Sequence, residues 1–356
     1  MAETSIEWTD RVWNPVRGCS RVSEGCRFCY AERVAARFSG VRVEKESGAR
    51  FGGDGSAPFE GFAEMTPNGP RWTGKVELIP EKLAEPFSWR KPARIFVNSM
   101  SDLFHERLPD EAIDQVFAVM ALAHRHTFQI LTKRPERMHR YLTDHAAGGR
   151  HIWPAAQKIE MPRGEPKPSP GWPLPNVWLG VSVEDQRTAD ARIPLLLQAP
   201  AAVRFVSYEP ALGPVNFSAL GQKVDPEHAK YNALRGGGYY VGDRVPDDAW
   251  RGRRLDWIIV GGESGHEARP FLLSAAREVV RQCKAAGVPV FVKQLGAKPV
   301  MHIDEWLAWC DREGWAPEDA ETIGRFYVVV PNRSRKGGDP SEWPADLRVR
   351  EFPGAA

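Results

Sequence analysis

The sequence predicts an α/β fold, a partial or closed (β/α) barrel of about six to seven parallel strands, and three observations predict it. Short apolar runs alternate with amphipathic helical stretches along most of the chain. The runs are nearly continuous in Val, Ile and Phe, as strands buried on both faces of a parallel sheet should be. No glycine-rich loop of the dinucleotide or P-loop type follows any run, which disfavours an open nucleotide-binding sheet.

Taken in order, a first strand is expected near Val12 to Val16. Further strands are expected at Ile95 to Asn98, Phe128 to Thr132, Val177 to Val183, Val203 to Tyr208, Trp257 to Val260 and Val290 to Val292. A helix should run from Ala31 to Phe38. In the next, Ile113, Val116, Phe117 and Met120 recur at helical spacing, with Asp110 read as its N-cap. The stretch from Ser274 to Lys284 carries Val279, Val280 and Cys283 on one side, and Gly287 and Pro289 close it. Three segments break the rhythm with Gly, Pro or mixed composition: 44–70, 150–176 and 225–254. They read as loop insertions in a barrel domain covering 1–297. A small C-terminal extension, 298–356, adds a helix around Ile303 to Arg312, a strand-like Phe326 to Val330 and a polar tail.

The 356 residues are 42% hydrophobic, enough for a large core, and 48 basic against 46 acidic residues leave a net charge of +2. That balance gives no global argument for nucleic acid or membrane, so any basic surface must be local. No run of 18 apolar residues suggests a membrane span, and the polar start from Met1 to Asp10 does not resemble a secretory signal. Three of the five cysteines fall within eleven residues, whereas a disulfide scaffold would spread them. The expectation is a cytoplasmic protein.

The cluster reads Cys19-Ser-Arg-Val-Ser-Glu-Gly-Cys26-Arg-Phe-Cys29-Tyr30. Thiolates are soft ligands that suit iron–sulfur clusters and zinc. Three ligands leave one iron of a four-iron cluster without a protein thiolate, open to a small molecule. A closed zinc site needs a fourth ligand, and the loop contains no histidine.

On these residues the loop resembles that of the radical S-adenosylmethionine superfamily: three cysteines after the first barrel strand, with an aromatic residue, here Phe28, just before the third. Six residues separate the first two cysteines, where the common pattern has three. Together with Trp13-Asn14-Pro15, Tyr30-Ala31-Glu32-Arg33 and Gly261-Gly262-Glu263-Ser264-Gly265, the loop is also similar to a phage and bacterial three-cysteine-motif family of largely unknown function. The resemblance implies a [4Fe-4S] cluster on Cys19, Cys26 and Cys29. It implies S-adenosylmethionine as cofactor, and a one-electron reductant such as flavodoxin or ferredoxin as partner. It places the methionyl amino group near Asn98 and Ser99 and the ribose near Ser182 and Glu184.

In a (β/α) barrel, chemistry sits at the C-terminal ends of the strands. There the chain offers Asn98, Ser99 and Asp102, then Lys133, Ser182, Glu184 and Glu209, then Gly261, Gly262, Glu263 and Lys293. Together they describe a polar cavity for cofactor and substrate, with Lys133, Glu209 and Lys293 on the substrate side. Lys230 to Arg254 interleaves aromatics with basic residues, among them Arg251, Arg253 and Arg254, which suits nucleic acid. Two other readings stand beside the radical enzyme. One is a zinc-dependent nucleic-acid-binding protein without catalysis. The other is a hydrolytic barrel using carboxylates such as Asp102, Glu209 and Glu263.

Overall fold

The computed structural model describes residues 4–160, 171–221, 229–240, 252–314, 316–331 and 336–354. Its main sheet has seven strands: β1 (Arg11–Trp13), β2 (Arg94–Val97), β3 (Thr127–Thr132), β4 (Val177–Val183), β5 (Val203–Tyr208), β6 (Trp257–Gly261) and β7 (Val290–Gln294). They follow one another in chain order, with β1 and β7 at the two ends. Every strand pair whose register is resolved is parallel. A doubly wound sheet reverses its strand order part-way, whereas chain order throughout is that of a (β/α) barrel, here a partial one. The fold class is therefore the expected one, with each strand within a few residues of its predicted limits. β1 ends earlier than expected, because Val16–Arg17 leaves the sheet to pair antiparallel with Glu77–Leu78.

The chain divides into two compact units, and the division falls within β4. Unit 1 comprises Met1–Val181 with Gln198–Val203, and unit 2 comprises Ser182–Leu197 with Arg204–Ala355. Residues 298–354 fall within the second unit.

In unit 1, Ile95, Val97, Phe128, Ile130, Leu179 and Val181 are buried, as the unbroken apolar runs require. Three helices matter here: α1 (Tyr30–Arg37), α2 (Asp110–Leu122) and α3 (Pro135–Arg140). Ile113, Val116, Phe117 and Met120 of α2 are all buried. Asp110 is not the N-cap of α2. Pro109 takes that place in an extended conformation, and its carbonyl accepts from Ala112 N–H at 3.1 Å. Asp110 sits one step inside and pairs with Arg137. Segment 44–70, expected as a loop, contributes to a four-stranded sheet of Arg42–Val43, Arg50–Phe51, Ala63–Thr66 and Gly69–Trp72. Ala35 and Ala36 of α1 are buried with Ala63, and Phe59, Met65 and Trp72 pack against them. A compositional reading for Gly and Pro overlooks so small a sheet.

In unit 2, α4 (Gln186–Gln198) opens on the chain leaving β4, and α5 (Leu273–Ala286) buries Val279, Val280 and Cys283. Gly287 closes α5 in the left-handed conformation at φ 65°, as expected. The described part of 225–254 holds a hairpin, Ala229–Asn232 with Gly237–Tyr240. The tail is anchored rather than simply polar. Trp343 and Leu347 are fully buried, Val349 O accepts from Val292 N–H at 2.8 Å, and the Phe352 ring lies 5.4 Å from that of Trp257, tilted by 34°. No helix among the described residues is long and apolar enough to cross a membrane.

Candidate functional site

The exits of β1, β2 and β3 build the cysteine loop. Gly18 takes a left-handed conformation at φ 90°, and a Cβ there would collide with the Lys75 carbonyl, so only glycine fits the step that delivers Cys19. The residues before Cys19 are held by the β2 exit. Val16 N–H donates to Asn98 Oδ1 at 3.2 Å, and Ser101 Oγ–H donates to Val16 O at 2.9 Å. A 3-10 turn over Glu24–Cys26 carries the second cysteine, and Cys29 stands at the N-cap of α1. The six-residue spacing is thereby absorbed, and all three sulfurs return to one side of unit 1, close enough to act on one another electrostatically.

All three cysteines are free thiols. Burial pushes the Cys19 thiol up to about 12, and nearby Asp102 adds to the effect while Arg134 opposes it. Burial also raises Cys29, against the amides of Glu32 and Ala31 in the first turn of α1 and the charge of Lys133. Two such thiols stay protonated at neutral pH unless a cation binds and displaces the protons.

Arg134, which the sequence reading passed over for its neighbour Lys133, organises the site. It is 4% exposed and pairs with Asp102 at 3.1 Å and Glu106 at 2.9 Å. Its guanidinium donates to Ser20 O and Oγ, each at 2.9 Å, and reaches Cys19 Sγ at 3.9 Å. Asp102 also accepts from Thr132 Oγ1 at 2.7 Å and from Lys133 N–H at 3.2 Å. His105 Nδ1 accepts from Arg107 N–H at 3.1 Å, so the neutral ring carries its proton on Nε2, 2.8 Å from Ser20 Oγ. Burial holds His105 below its ordinary pKa.

Asn98 is the one described non-glycine residue with positive φ, at 62°, and is 3% exposed. Its Oδ1 serves Val16, and its Nδ2 is buried with no hydrogen-bond partner. The available atom is a donor, which suits a carboxylate and not the amino group assigned to this position from the sequence. Ser99 Oγ is 3.3 Å from Asn14 Oδ1, and Ser99 O accepts from Tyr30 OH at 2.6 Å. Phe28 is half-buried under the Arg27 guanidinium, 5.3 Å away.

The other sequence-predicted residues lie in unit 2, bonded among themselves. Ser182 Oγ donates to Glu209 O at 2.9 Å, and buried Glu184 pairs with Arg192 at 3.1 Å. Glu209 pairs with Lys293 at 2.6 Å, and Glu263 with Arg269 at 2.8 Å. Gly261 lies against the Glu209 side chain. Gly262 lies against the Leu295 carbonyl, where a Cβ would collide. Arg253 and Arg254 are exposed, and Arg251 lies outside the described residues. The three carboxylates of the hydrolytic reading each have a cation of their own: Asp102 in unit 1, Glu209 and Glu263 in unit 2.

One other group deserves comparison with the cysteines. Among the described residues, Asp114, His145 and His151 are the group of three metal-ligand atoms lying within 4.8 Å of one another. The two imidazoles stack with centroids 4.1 Å apart and planes 14° from parallel. Their in-plane lone pairs therefore run side by side instead of converging on one ion. The three thiols are instead an all-sulfur set within one loop. A tetrahedral zinc with bonds of about 2.3 Å draws its sulfurs to roughly 3.8 Å of each other. A four-iron cluster holds its ligands at the corners of a larger cube. An all-thiol donor set of this kind suits a cluster or zinc.

No curated protein and no solved structure matches the chain. One family matches over residues 3–328, a span that includes the cysteine loop and both sets of strand exits. The chain belongs to this family, which is described as protein of unknown function (DUF5131).

Proposed function

We propose that Cys19, Cys26 and Cys29 hold a [4Fe-4S] cluster and that the protein is a radical S-adenosylmethionine enzyme. Such a cluster, when bound, supplies one-electron reductive cleavage of S-adenosylmethionine to a 5′-deoxyadenosyl radical, the species that takes a hydrogen atom from a substrate. The observation that carries this reading is the set of three free thiols in the loop that leaves β1, held by groups from the next two strand exits. Arg134 keeps a permanent positive charge beside Cys19, which favours its thiolate, and fixes Ser20 next to it. The amides at the start of α1 do the same for Cys29. Asn98 Nδ2, buried without a partner, would be the donor for the carboxylate of a bound methionyl group and would orient it without a charged side chain. Flavodoxin or ferredoxin is the kind of electron donor required.

The test is reconstitution with ferrous iron and sulfide without oxygen. The protein should turn brown and bind about four irons and four sulfides per chain. With dithionite it should release 5′-deoxyadenosine from S-adenosylmethionine. A colourless protein holding one zinc and no sulfide overturns the reading, as does an intact cluster that never cleaves the cofactor.

A further inference from the structure

We propose that the outward face of α1 binds a single-stranded nucleic acid and leads it to the cysteine loop. That this strand is the substrate rests on the function proposed above, whereas the binding itself does not.

The helix is amphipathic in reverse. Its small residues Ala31, Ala35 and Ala36 face the interior, and its large apolar residues face solvent. Tyr30 is 51% exposed, Val34 37% and Phe38 52%. Burial of large apolar side chains is the general rule, so an aromatic stripe turned outward beside a candidate site marks a contact surface. Tyr30, Arg33, Val34, Arg37 and Phe38 recur at the three- and four-residue spacings that put them on one face. Arg27, just before the helix, is exposed too.

The exposed charged residues of α1 itself are basic. The single carboxylate of α1, Glu32, is 1% exposed, where it accepts from Arg21 Nε at 2.9 Å and from Trp72 N–H at 3.0 Å. At its surface α1 presents Arg33 and Arg37. Two of the guanidiniums lie over rings, Arg27 over Phe28 at 5.3 Å and Arg37 over Phe38 at 5.9 Å. Rings and charges therefore alternate along a line. That is the repeat of a single strand, in which each base has a face to stack and each phosphate a charge to neutralise. Paired bases cannot stack on such rings, which favours a single strand over a duplex. A folded acidic partner is a poorer match, because protein interfaces gather their apolar residues centrally and leave charges to the rim. The line ends at Cys29, and the Tyr30 hydroxyl ties its first ring to Ser99 at the β2 exit.

Fluorescence anisotropy tests this with labelled oligo-dT and oligo-U of about 20 nucleotides, and with a duplex of the same length, over a salt series. The apo protein should bind both single strands more tightly than the duplex, and affinity should fall with salt. Replacing Arg27, Arg33 and Arg37 with Gln should weaken binding about ten-fold or more and flatten the salt slope. Tyr30→Leu with Phe38→Leu should weaken single-strand binding by about ten-fold and leave the slope unchanged. The substituted side chains are exposed, and thermal melts check that both variants fold. Wild-type affinity in both variants overturns the proposal. So does equal affinity for duplex and single strand, or an effect of these variants on flavodoxin binding alone. Iron and sulfide content separates the two ideas: binding without a cluster sinks only the proposed function, and a cluster without binding sinks only this inference.

Discussion

In unit 2 each of these carboxylates at the strand exits has a cation beside it: Glu184 has Arg192, Glu209 has Lys293 and Glu263 has Arg269. At the cysteine loop of unit 1 the matching is incomplete. Cys19 and Cys29 are buried thiols whose ionised forms are disfavoured, and Asn98 Nδ2 is buried without a partner. Buried polar groups in a folded chain are nearly always satisfied, and the exceptions call for a cause. A set of satisfied ion pairs is explained by folding alone. Three free thiols gathered in one loop, beside the unpartnered Asn98 Nδ2, leave donor atoms to spare for a ligand.

The sharpest way to break this comparison is to remove the thiols. Cys19→Ala, Cys26→Ala and Cys29→Ala should each abolish iron and sulfide binding after anaerobic reconstitution, because a cluster with two protein ligands is not retained. Cys283→Ala and Cys310→Ala should keep the full content, since those residues are buried elsewhere, on α5 and on the helix Ile303–Glu313. If all five variants bind metal alike, the loop is not special.

Next in size is a paired substitution that separates architecture from metal binding. Arg134→Ala leaves Asp102 buried without its cation, and Arg192→Ala does the same to Glu184. Each should cost about 3 kcal/mol in urea unfolding. Only Arg134→Ala should also lower iron content, since only Arg134 reaches Cys19 and Ser20. Equal metal content in the two variants would reduce Arg134 to a structural role.

The sequence alone made the fold legible because unbroken apolar runs such as Val177–Val183 and Val203–Tyr208 have few alternatives to a buried parallel strand. The three cysteines were legible because their spacing is local. Arg134 was not, since an arginine beside a lysine after a strand reads as a solvated pair, and only folding carries it to Cys19, 115 residues away. The direction of Asn98 was hidden for the same reason: which end of its amide remains free depends on Val16, 82 residues earlier. The anchored tail was missed because Trp343, Leu347 and Phe352 are scattered among polar residues without a period.

A smaller effect sharpens the assignment of the cofactor's contacts. Asn98→Gly keeps the positive φ without strain and removes the Nδ2 donor together with the Oδ1 that accepts from Val16 N–H, so iron content is measured alongside. With the cluster loaded, affinity for S-adenosylmethionine should fall roughly ten-fold, the size of one hydrogen bond to a charged group. The resemblance places Glu184, with Ser182, at the ribose. Glu184→Gln should change affinity less than Asn98→Gly does, because Glu184 already pairs with Arg192. Equal losses measured by equilibrium dialysis would restore that reading and weaken the contrast between the two units.

The smallest effect is one of pH, and it belongs to unit 1. Burial lowers the pKa of His105 and of His126 below the ordinary value of 6.5. For His105 the Arg134 and Arg107 charges lower it further, against Glu106 and Asp102. The unfolded chain takes up these protons first as pH falls, so acid favours unfolding. The stabilisation from neutral rings is complete above about pH 6.5 and is lost as pH falls through the folded values, by at most about 1.4 kcal/mol per pH unit for each ring. Protonating His105 also costs the bond that Arg107 N–H donates to Nδ1. Urea midpoints of the apo protein should therefore drop between about pH 7 and about pH 5. His105→Asn should make that drop shallower, and should do so equally in the Cys19→Ala background, since the imidazole meets Ser20 and not a thiol. A pH dependence unchanged by His105→Asn would mean that other groups, such as the carboxylates of unit 2, carry the acid sensitivity.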